Sequence, residues 1–363
     1  MILGVDLGHF DPSRAANETQ TAKRILGSRL LGIEIGNEPD AYGAKQVKLR
    51  PSSYSVLDYM AEAAVYAGSI HTVSPDVSLF GPDLSGNPEW LSRLASTTHQ
   101  PFGVLTEHLY PTLYSVAKAP CKGTPVPTAA DLLAPEVRDG ENGFLQVLAN
   151  AARVARRRVR ISETNDTASC DAPGGPATSP VFASALWSLD WVLRAASTGV
   201  AGLNFHGNFG LCLPNTFSPI CAPTAYAFDH GQVTARPEYY GLFAARQLEG
   251  GDFVPVALSG RNTSEALAVY ATEHRHETVT VAIDSFAVAG SGPLRIKLRG
   301  AQTASAEFLE APSVSATTGV SFGRSSFDAT GELNPVRVTL AKRRGYFYLE
   351  MHRASAVIVT LRR

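Results

Sequence analysis

The stretch LGIEIGNEPD at residues 31–40 joins a short apolar run to a carboxylate. Its apolar residues Ile33 and Ile35 are spaced as in a short buried β-strand. Pro39 then ends the strand, because proline has no N–H to donate to a neighbouring strand. Glu38 is therefore predicted to project from the carboxyl end of this strand.

A second stretch, VRISETN at residues 159–165, has the same form and carries Glu163 near its end. Strand-like segments alternate with helical patterns over the first part of the chain. These segments lie at residues 2–8, 31–36, 77–80, 102–109, 159–165 and 200–205. Six strands alternating with helices predict parallel βαβ units, whereas a closed barrel of this type has eight strands. Strand ends meet at one face of such a barrel, so Glu38 and Glu163 are expected to form a pair.

The intervening helices and the rest of the chain define two regions. Helices are predicted at residues 11–26, 52–67, 88–95, 142–157, 181–196 and 238–248. Beyond about residue 253 only strand patterns follow, separated by turn residues, at 266–272, 277–284, 294–299, 304–309, 336–340, 346–351 and 356–361. This alternation is typical of a β-sandwich. We therefore expect an α/β barrel domain over residues 1–250 and an all-β sandwich domain over residues 251–363.

Composition restricts the function classes. The formal net charge of −1 does not indicate electrostatic binding to nucleic acid or to a membrane surface. No apolar run approaches the ~20 residues that cross a bilayer, and no signal peptide is visible. Cys212 and Cys221 are close enough to staple one loop, which indicates an oxidising compartment. With Cys121 and Cys170 they allow other pairings, and four free thiols remain an alternative.

The order of these features resembles glycoside hydrolase family 79, the β-glucuronidase and heparanase family. The matching motifs are LGVDLG at 3–8, EIGNEPD at 34–40, HLYP at 108–111, RISETN at 160–165, FASALWSLD at 182–190 and AVIVTL at 356–361. The resemblance implies a (β/α)8 TIM-type barrel followed by a C-terminal β-domain, with retaining hydrolysis of β-linked glucuronic acid. Aligned in this way, Met1 falls at the third barrel strand, so the first two β/α units are expected to be absent.

The resemblance also assigns roles to individual side chains. It makes Glu38 the acid/base and Glu163 the nucleophile. One carboxyl group must donate a proton to the leaving oxygen, while the other attacks the anomeric carbon. The Asn37 amide is placed to bond the sugar 2-hydroxyl, and the Tyr110 phenol to hold the Glu163 carboxylate ionised.

Further substrate contacts are expected at other strand ends. His108 and His206 end two strands and are predicted to touch substrate, with a structural histidine as the alternative for each. Gly174 and Gly175 follow the Glu163 strand, and their amides are candidates for a substrate-carboxylate nest, with a plain loop as the alternative. Two further glutamates are noted: Glu34, as an interior or ion-paired residue, and Glu107, as a rival carboxylate.

The sequence thus predicts a retaining glycoside hydrolase that cleaves β-linked glucuronic acid or 4-O-methylglucuronic acid through a covalent glycosyl-enzyme. We expect no cofactor and no metal, since no ligand cluster with short spacing occurs. The expected partner is a carbohydrate, without nucleic acid or membrane, and the full-length parent is expected to be secreted. Two alternatives remain: a retaining barrel glycosidase for a neutral sugar, and a catalytically silent carbohydrate-binding remnant.

Overall fold

A computed structural model describes most of the chain. The described residues are 1–114, 123–169, 174–207, 209–213, 216–259, 266–275, 278–288 and 292–363. Cys121 and Cys170 lie outside these ranges. The chain divides into two compact units. Unit one comprises residues 1–109, 142–164 and 198–205, and unit two comprises residues 110–141, 165–197 and 206–363.

The described helices are α1 (Pro12–Leu26), α2 (Val56–Val73), α3 (Pro88–Ala95), α4 (Ala129–Leu132), α5 (Pro135–Ala155), α6 (Phe182–Ser197), α7 (Ala225–Asp229) and α8 (Pro237–Arg246). Strands of the first two-thirds are β1 (Ile2–Val5), β2 (Gly32–Ile35), β3 (Leu79–Leu84), β4 (Val104–Leu109), β5 (Thr112–Tyr114), β6 (Arg158–Thr164), β7 (Thr167–Ser169), β8 (Leu203–Phe205), β9 (Ile220–Cys221) and β10 (Thr234–Ala235). The later strands are β11 (Asp252–Phe253), β12 (Leu267–His274), β13 (Thr278–Ser285), β14 (Leu294–Leu298), β15 (Thr303–Glu310), β16 (Ser321–Phe322), β17 (Val338–Thr339), β18 (Lys342–Arg343), β19 (Tyr346–Met351) and β20 (Ser355–Arg362).

Unit one is built on a six-stranded parallel sheet in the order β1-β2-β3-β4-β6-β8. The six strands predicted from alternation are therefore confirmed. Every residue of β2 and β3 is buried, as expected for parallel strands covered on both faces. Because all six strands run the same way, their carboxyl ends lie along one edge of the sheet.

Helix α1 begins where its capping residue predicts, whereas α2 begins at Val56 instead of the predicted residue 52 and continues to Val73 instead of residue 67. The Asp11 carboxylate accepts the N–H of Arg14, with proline at the first helical position. Ser55 and Asp58 form a reciprocal capping box at the start of α2. Tyr59 of α2 then reaches the sheet, where its buried hydroxyl donates to the Ile35 carbonyl at 3.1 Å. This bond fixes α2 against the end of β2.

Other boundaries also differ from the sequence prediction, among them the end of β3 and the start of α5. The strand predicted to end at residue 80 continues to Leu84, because its residues still pair in parallel with β4. The Asp83 N–H also donates to Thr106 Oγ1 of β4 at 3.0 Å. Helix α5 begins at Pro135, seven residues before the predicted start at 142. Proline suits the first turn of a helix, where its missing N–H has no partner to bond.

In unit two, α6 packs closely on α8. A Cβ at Gly241 of α8 would lie 2.0 Å from the Ala185 carbonyl oxygen of α6, so only glycine permits this approach. Buried polar groups along α6 are paired: Trp187 donates to Glu141 at 2.8 Å, and Arg194 bridges Glu141 and Asp190. Trp187 is therefore a core residue, in agreement with the apolar pattern of its helix.

From residue 252 onward the described residues form strands and turns only. A seven-stranded sheet runs β11-β12-β13-β20-β15-β16, with β17 also paired to β15, and a three-stranded sheet runs β14-β19-β18. Inward residues of both sheets, among them Ile283, Val359 and Leu349, form one buried cluster. Two sheets sharing a core constitute the predicted β-sandwich. Within the described ranges, no helix combines the length and apolarity needed to cross a membrane.

Candidate active site

Four parallel strands deliver titratable side chains to one edge of the unit-one sheet. Glu38 follows β2, Asp83 belongs to β3, His108 to β4 and Glu163 to β6. One carboxylate oxygen of Glu38, one of Glu163 and a ring nitrogen of His108 all lie within 4.8 Å of one another. The two glutamates predicted as a pair are thus brought together.

The backbone that presents Glu38 is held in an uncommon conformation. Glu38 has φ 49° and Asp83 has φ 59°, so both adopt the left-handed region that non-glycine residues seldom occupy. The Glu38 N–H donates to the Asp83 carbonyl at 2.8 Å, which joins the two residues. Left-handed residues cost of order 1–3 kcal/mol each and cluster at functional sites.

His108 lies beneath the glutamate pair. Only 3% of its side chain is exposed, against 38% for Glu38. Nδ1 lies 3.0 Å from Glu38 Oε1 and 3.9 Å from Glu163 Oε1, and Nε2 lies 2.8 Å from Asp83 Oδ1. Burial opposes the charged ring, but hydrogen bonds to Asp83 and Glu38 raise the pKa of His108 to about 11. The ring, predicted as a substrate contact, bridges two carboxylates instead of lying at the surface.

The Asp83 carboxylate accepts hydrogen bonds from two side chains. Besides His108 Nε2, the Ser162 hydroxyl donates to Asp83 Oδ1. Glu34 is the next carboxyl group inward, and 8% of it is exposed. Burial, followed by the repulsion of Asp83, raises the pKa of Glu34 to about 8. Glu34 is therefore an interior residue, one of the two readings that its sequence position allowed.

Glu107 points away from this cluster. Successive strand residues face opposite sides of a sheet, so Glu107 and His108 diverge. The buried Glu107 carboxylate accepts the backbone N–H of Asn87, the N-cap of α3, at 2.5 Å. Burial raises its pKa well above the ordinary range. The rival carboxylate thus anchors the start of a helix.

Asn37 is exposed beside Glu38, and its N–H donates to the Tyr42 hydroxyl at 3.5 Å. A cavity of about 290 Å³ opens at this point. Its lining residues are Gly4, Val5, Asp6, Leu7, Gly36, Asn37 and Tyr42. The space next to Asn37 is large enough to hold a small ligand, and Asp6 places a carboxylate in its wall.

Other predicted site residues lie in unit two. The Tyr110 hydroxyl and His206 Nδ1 are 2.6 Å apart, and both rings contact Phe217. Asn165 donates to the His206 carbonyl at 2.8 Å. Tyr110, predicted to hold the Glu163 carboxylate, and His206, predicted as a substrate contact, therefore lie together in one aromatic group.

Gly174 and Gly175 are both buried in unit two. Gly174 has φ 87°, and a Cβ there would meet the Phe217 nitrogen at 2.8 Å, so conformation and packing both require glycine. The Gly175 N–H donates to Ser179 Oγ at 3.0 Å. That amide, predicted as part of an anion nest, is used within the loop.

The nearby loop is closed by a disulfide between Cys212 and Cys221, nine residues apart. This is the pairing that their proximity in sequence indicated. The predictions for Cys121 and Cys170 fall outside the described residues.

The Glu38, His108 and Glu163 group fits a metal ion poorly. A histidine ligand binds metal through the lone pair of a neutral imidazole nitrogen. Here each ring nitrogen faces a carboxylate oxygen, and the raised pKa of His108 favours protons on both. The arrangement suits two carboxyl groups held by a buried, protonated histidine ring.

Sequence reasoning missed Asp83, Thr106 and Ser162 as members of the site. A signal for Asp83 was present, since it follows the third strand-like segment just as Glu38 follows the second. The Gly81-Pro82 pair obscured it, because proline within a run argues against continued strand pairing.

The sequence and the fold of the chain can be compared with those of known proteins. A scan of protein-family models and a sequence search of curated proteins each found no match. The structure of a 4-O-α-L-rhamnosyl-β-D-glucuronidase from Fusarium oxysporum 12S has a TM-score of 0.73 at 19% identity, covering 99% of this chain and 76% of that chain. The GH51 arabinofuranosidase from Xanthomonas axonopodis pv. citri has a TM-score of 0.66 at 13% identity, with coverages of 99% and 75%. A family 44 xyloglucanase from Paenibacillus polymyxa has a TM-score of 0.62 at 9% identity, covering 100% of this chain and 74% of that chain.

These similarities define the class of fold. The chain has the α/β architecture of TIM-barrel glycoside hydrolases that carry a β-sandwich domain, as the sequence predicted.

Proposed function

We propose that the chain is a retaining glycoside hydrolase that cleaves β-linked glucuronic acid or its 4-O-methyl form. The observation that carries the proposal is the Glu38–Glu163 pair, with one oxygen of each within 4.8 Å at the strand ends of one sheet. Retaining enzymes hold their carboxyl groups ~5–5.5 Å apart, whereas inverting enzymes leave ~6.5–9.5 Å for a water molecule. The short separation supports direct attack by one carboxylate.

Glu163 attacks the anomeric carbon in the first step, while Glu38 gives its proton to the leaving oxygen. In the second step Glu38 takes a proton from water, which displaces Glu163 from the sugar. Asn37 is adjacent to Glu38 and is assigned to the sugar 2-hydroxyl. His206 and Tyr110, with the Gly174 loop, are assigned to substrate binding in the same proposal.

The assignment of a glucuronide rests on the family 79 resemblance of the motifs and on the fold shared with the Fusarium glucuronidase. The barrel region, residues 1–250, is proposed to carry catalysis, with residues 251–363 as a separate sandwich domain. The Cys212–Cys221 disulfide supports an oxidising compartment, so we include secretion in the proposal.

A neutral sugar is the second candidate. The cavity beside Asn37 has the Asp6 carboxylate in its wall, which would repel the carboxylate of a uronic acid but accept bonds from sugar hydroxyls. A glucanase–xylanase and a xyloglucanase share the fold. An enzyme for neutral glycosides would keep the same two glutamates in the same roles.

The test uses paired aryl glycosides. The 363-residue chain is assayed on an aryl β-glucuronide and the matching β-glucoside, and the first anomer released is identified by proton NMR. We expect the glucuronide to be cleaved with release of the β-anomer. Cleavage of the glucoside alone would select the neutral-sugar candidate, and release of the α-anomer would refute retention.

Glutamine variants assign the roles. Glu163→Gln is expected to lower kcat by about 10³-fold or more, as for other catalytic nucleophiles. Glu249→Gln provides the matched control, since Glu249 is an exposed residue paired only with Arg246 among the contacts of the described chain. Sugar binding without turnover in the unaltered chain would instead indicate a catalytically silent binding protein.

A further inference from the structure

Three carboxyl groups and one imidazole form a continuous chain that leads from the protein interior to Glu38, one member of the glutamate pair. Starting from the interior, these groups belong to Glu34, Asp83, His108 and Glu38. The first three members are buried, with 8% of Glu34 and only 6% of the Asp83 side chain and 3% of the His108 side chain exposed, whereas 38% of the Glu38 side chain is exposed. Only its last member therefore reaches the space where a substrate would bind.

The atoms in this chain restrict the protonation of the ring. An ionised carboxylate only accepts hydrogen bonds, and an imidazole must carry a proton on each nitrogen that donates. His108 faces Asp83 with Nε2 and Glu38 with Nδ1. The ring can donate to both of these oxygens only if it is the imidazolium.

Asp83 is the buried carboxyl group that faces the ring. It receives the Ser162 hydroxyl as well as His108 Nε2–H on Oδ1. The neighbouring Glu34 remains neutral at neutral pH, because burial and the Asp83 charge raise its pKa to about 8. The negative charge of the interior pair is thus concentrated on Asp83, beside the ring.

We propose that Asp83 and His108 are positioning residues for the acid/base step: Asp83 keeps His108 doubly protonated, and its Nδ1–H directs the Glu38 proton toward the leaving oxygen. This inference rests on the proposed glycosidase function. With Oε1 occupied by Nδ1–H, the acid proton of Glu38 resides on Oε2, the oxygen that does not face the ring.

The bonds balance in each step. As Glu163 forms its bond to the anomeric carbon, the glycosidic carbon–oxygen bond breaks and its electron pair stays on the leaving oxygen. That oxygen takes the Oε2 proton, which leaves Glu38 as a carboxylate facing the imidazolium. Water then gives its proton back to Glu38 Oε2 as its oxygen displaces Glu163.

Asp83→Asn tests this arrangement. An amide cannot hold the imidazolium, so His108 becomes neutral and its Nδ1 lone pair faces Glu38. The Glu38 proton then lies on Oε1, directed at the ring. General acid catalysis contributes ~10²–10⁴-fold, and substrates with acidic leaving groups do not need it. We expect kcat/KM to fall at least ~10²-fold for an alkyl β-glucuronide and only a few-fold for the 2,4-dinitrophenyl β-glucuronide.

Asp76→Asn is the matched control, because Asp76 is an exposed residue that pairs with Lys23. It should leave the activity on both substrates unchanged. An equal loss of kcat/KM on both substrates in Asp83→Asn would overturn the proposal. Unchanged kcat/KM on both substrates would overturn it as well. If the unaltered chain cleaves the alkyl and aryl glycosides and Glu163→Gln does not, the proposed function stands whatever Asp83→Asn does.

A second readout does not depend on turnover, and it observes the unaltered chain directly. In the unaltered chain, labelled with ¹⁵N-histidine, the His108 ring should show protons on both nitrogens at pH 8. Its signals are assigned by their loss in His108→Gln. A neutral ring at pH 8 would overturn the proposal even if every glycoside were cleaved. An imidazolium in a chain that cleaves none would support the charge assignment while refuting the proposed function.

Discussion

Replacing Glu34 by glutamine is expected to stabilise the protein at alkaline pH and to have little effect in acid. The Glu34 side chain is buried in unit one, and the structure raises its pKa from 4.5 to about 8 through burial and the nearby Asp83 charge. Glutamine has nearly the same shape and no ionisable proton. The variant therefore removes one titration from the interior and changes little else.

The sign follows from the two protonation states. Below pH 4.5 the Glu34 carboxyl is neutral in both the folded and the unfolded chain. Between pH 4.5 and about 8 the unfolded chain has released this proton and the folded chain retains it. Rising pH therefore favours the unfolded state over this window. The stability that neutral Glu34 contributes is complete below pH 4.5 and is lost as the pH rises to about 8.

The magnitude follows from the width of that window. One pH unit of pKa difference corresponds to about 1.4 kcal/mol, so the interval from 4.5 to about 8 corresponds to about 5 kcal/mol. Glu34→Gln should be near neutral at pH 4 and more stable than the unaltered chain by up to this amount near pH 8. Half the difference should have appeared by about pH 6.

The assay is urea unfolding of both proteins at half-unit intervals from pH 4 to pH 8. Other buried carboxyl groups, such as Glu141 and Asp166, also have raised pKa values and contribute equally to both proteins. Subtracting the two stability curves therefore removes the contribution of these other groups and leaves that of Glu34 and the groups in contact with it. Parallel curves over the whole range would refute the reasoning, because they would mean that Glu34 titrates alike in both states.

The remaining predictions concern unit two. Ile283→Ala truncates a side chain in the sandwich core, where Ile283 is 2% exposed, and should lower the free energy of unfolding by about 2–5 kcal/mol. Val288 is 49% exposed, so the control Val288→Ala should change the free energy of unfolding by less than about 0.5 kcal/mol. Equal effects in urea unfolding would contradict the assigned core. Removing the Cys212–Cys221 bridge by a double serine substitution should lower the free energy of unfolding by about 3 kcal/mol through the entropy of the released loop. A peptide pair that joins Cys212 to Cys221 in a non-reducing proteolytic digest should identify the bridge in the unaltered protein.

Several elements could be predicted from local sequence because their causes are local. The first strands were visible from runs of apolar residues, and α1 from its Asp11-Pro12 start. The sandwich strands were visible from alternation, since one face of each strand is buried. The α5 start was misplaced because the polar stretch from residue 135 to 141 conceals a first helical turn.

Sequence by itself determined the kind of fold and the position of Glu38 and Glu163, because strand periodicity and the residue after a strand are properties of adjacent amino acids. Only the tertiary structure decided the roles of Asp83, His108 and Glu34. Their contacts join β2, β3 and β4, which are neighbours in space but tens of residues apart in the chain. Burial at that junction, and no feature of the local sequence, raises the pKa of Glu34. Burial opposes the charged form of His108, but hydrogen bonds to Asp83 and Glu38 raise the pKa of its ring.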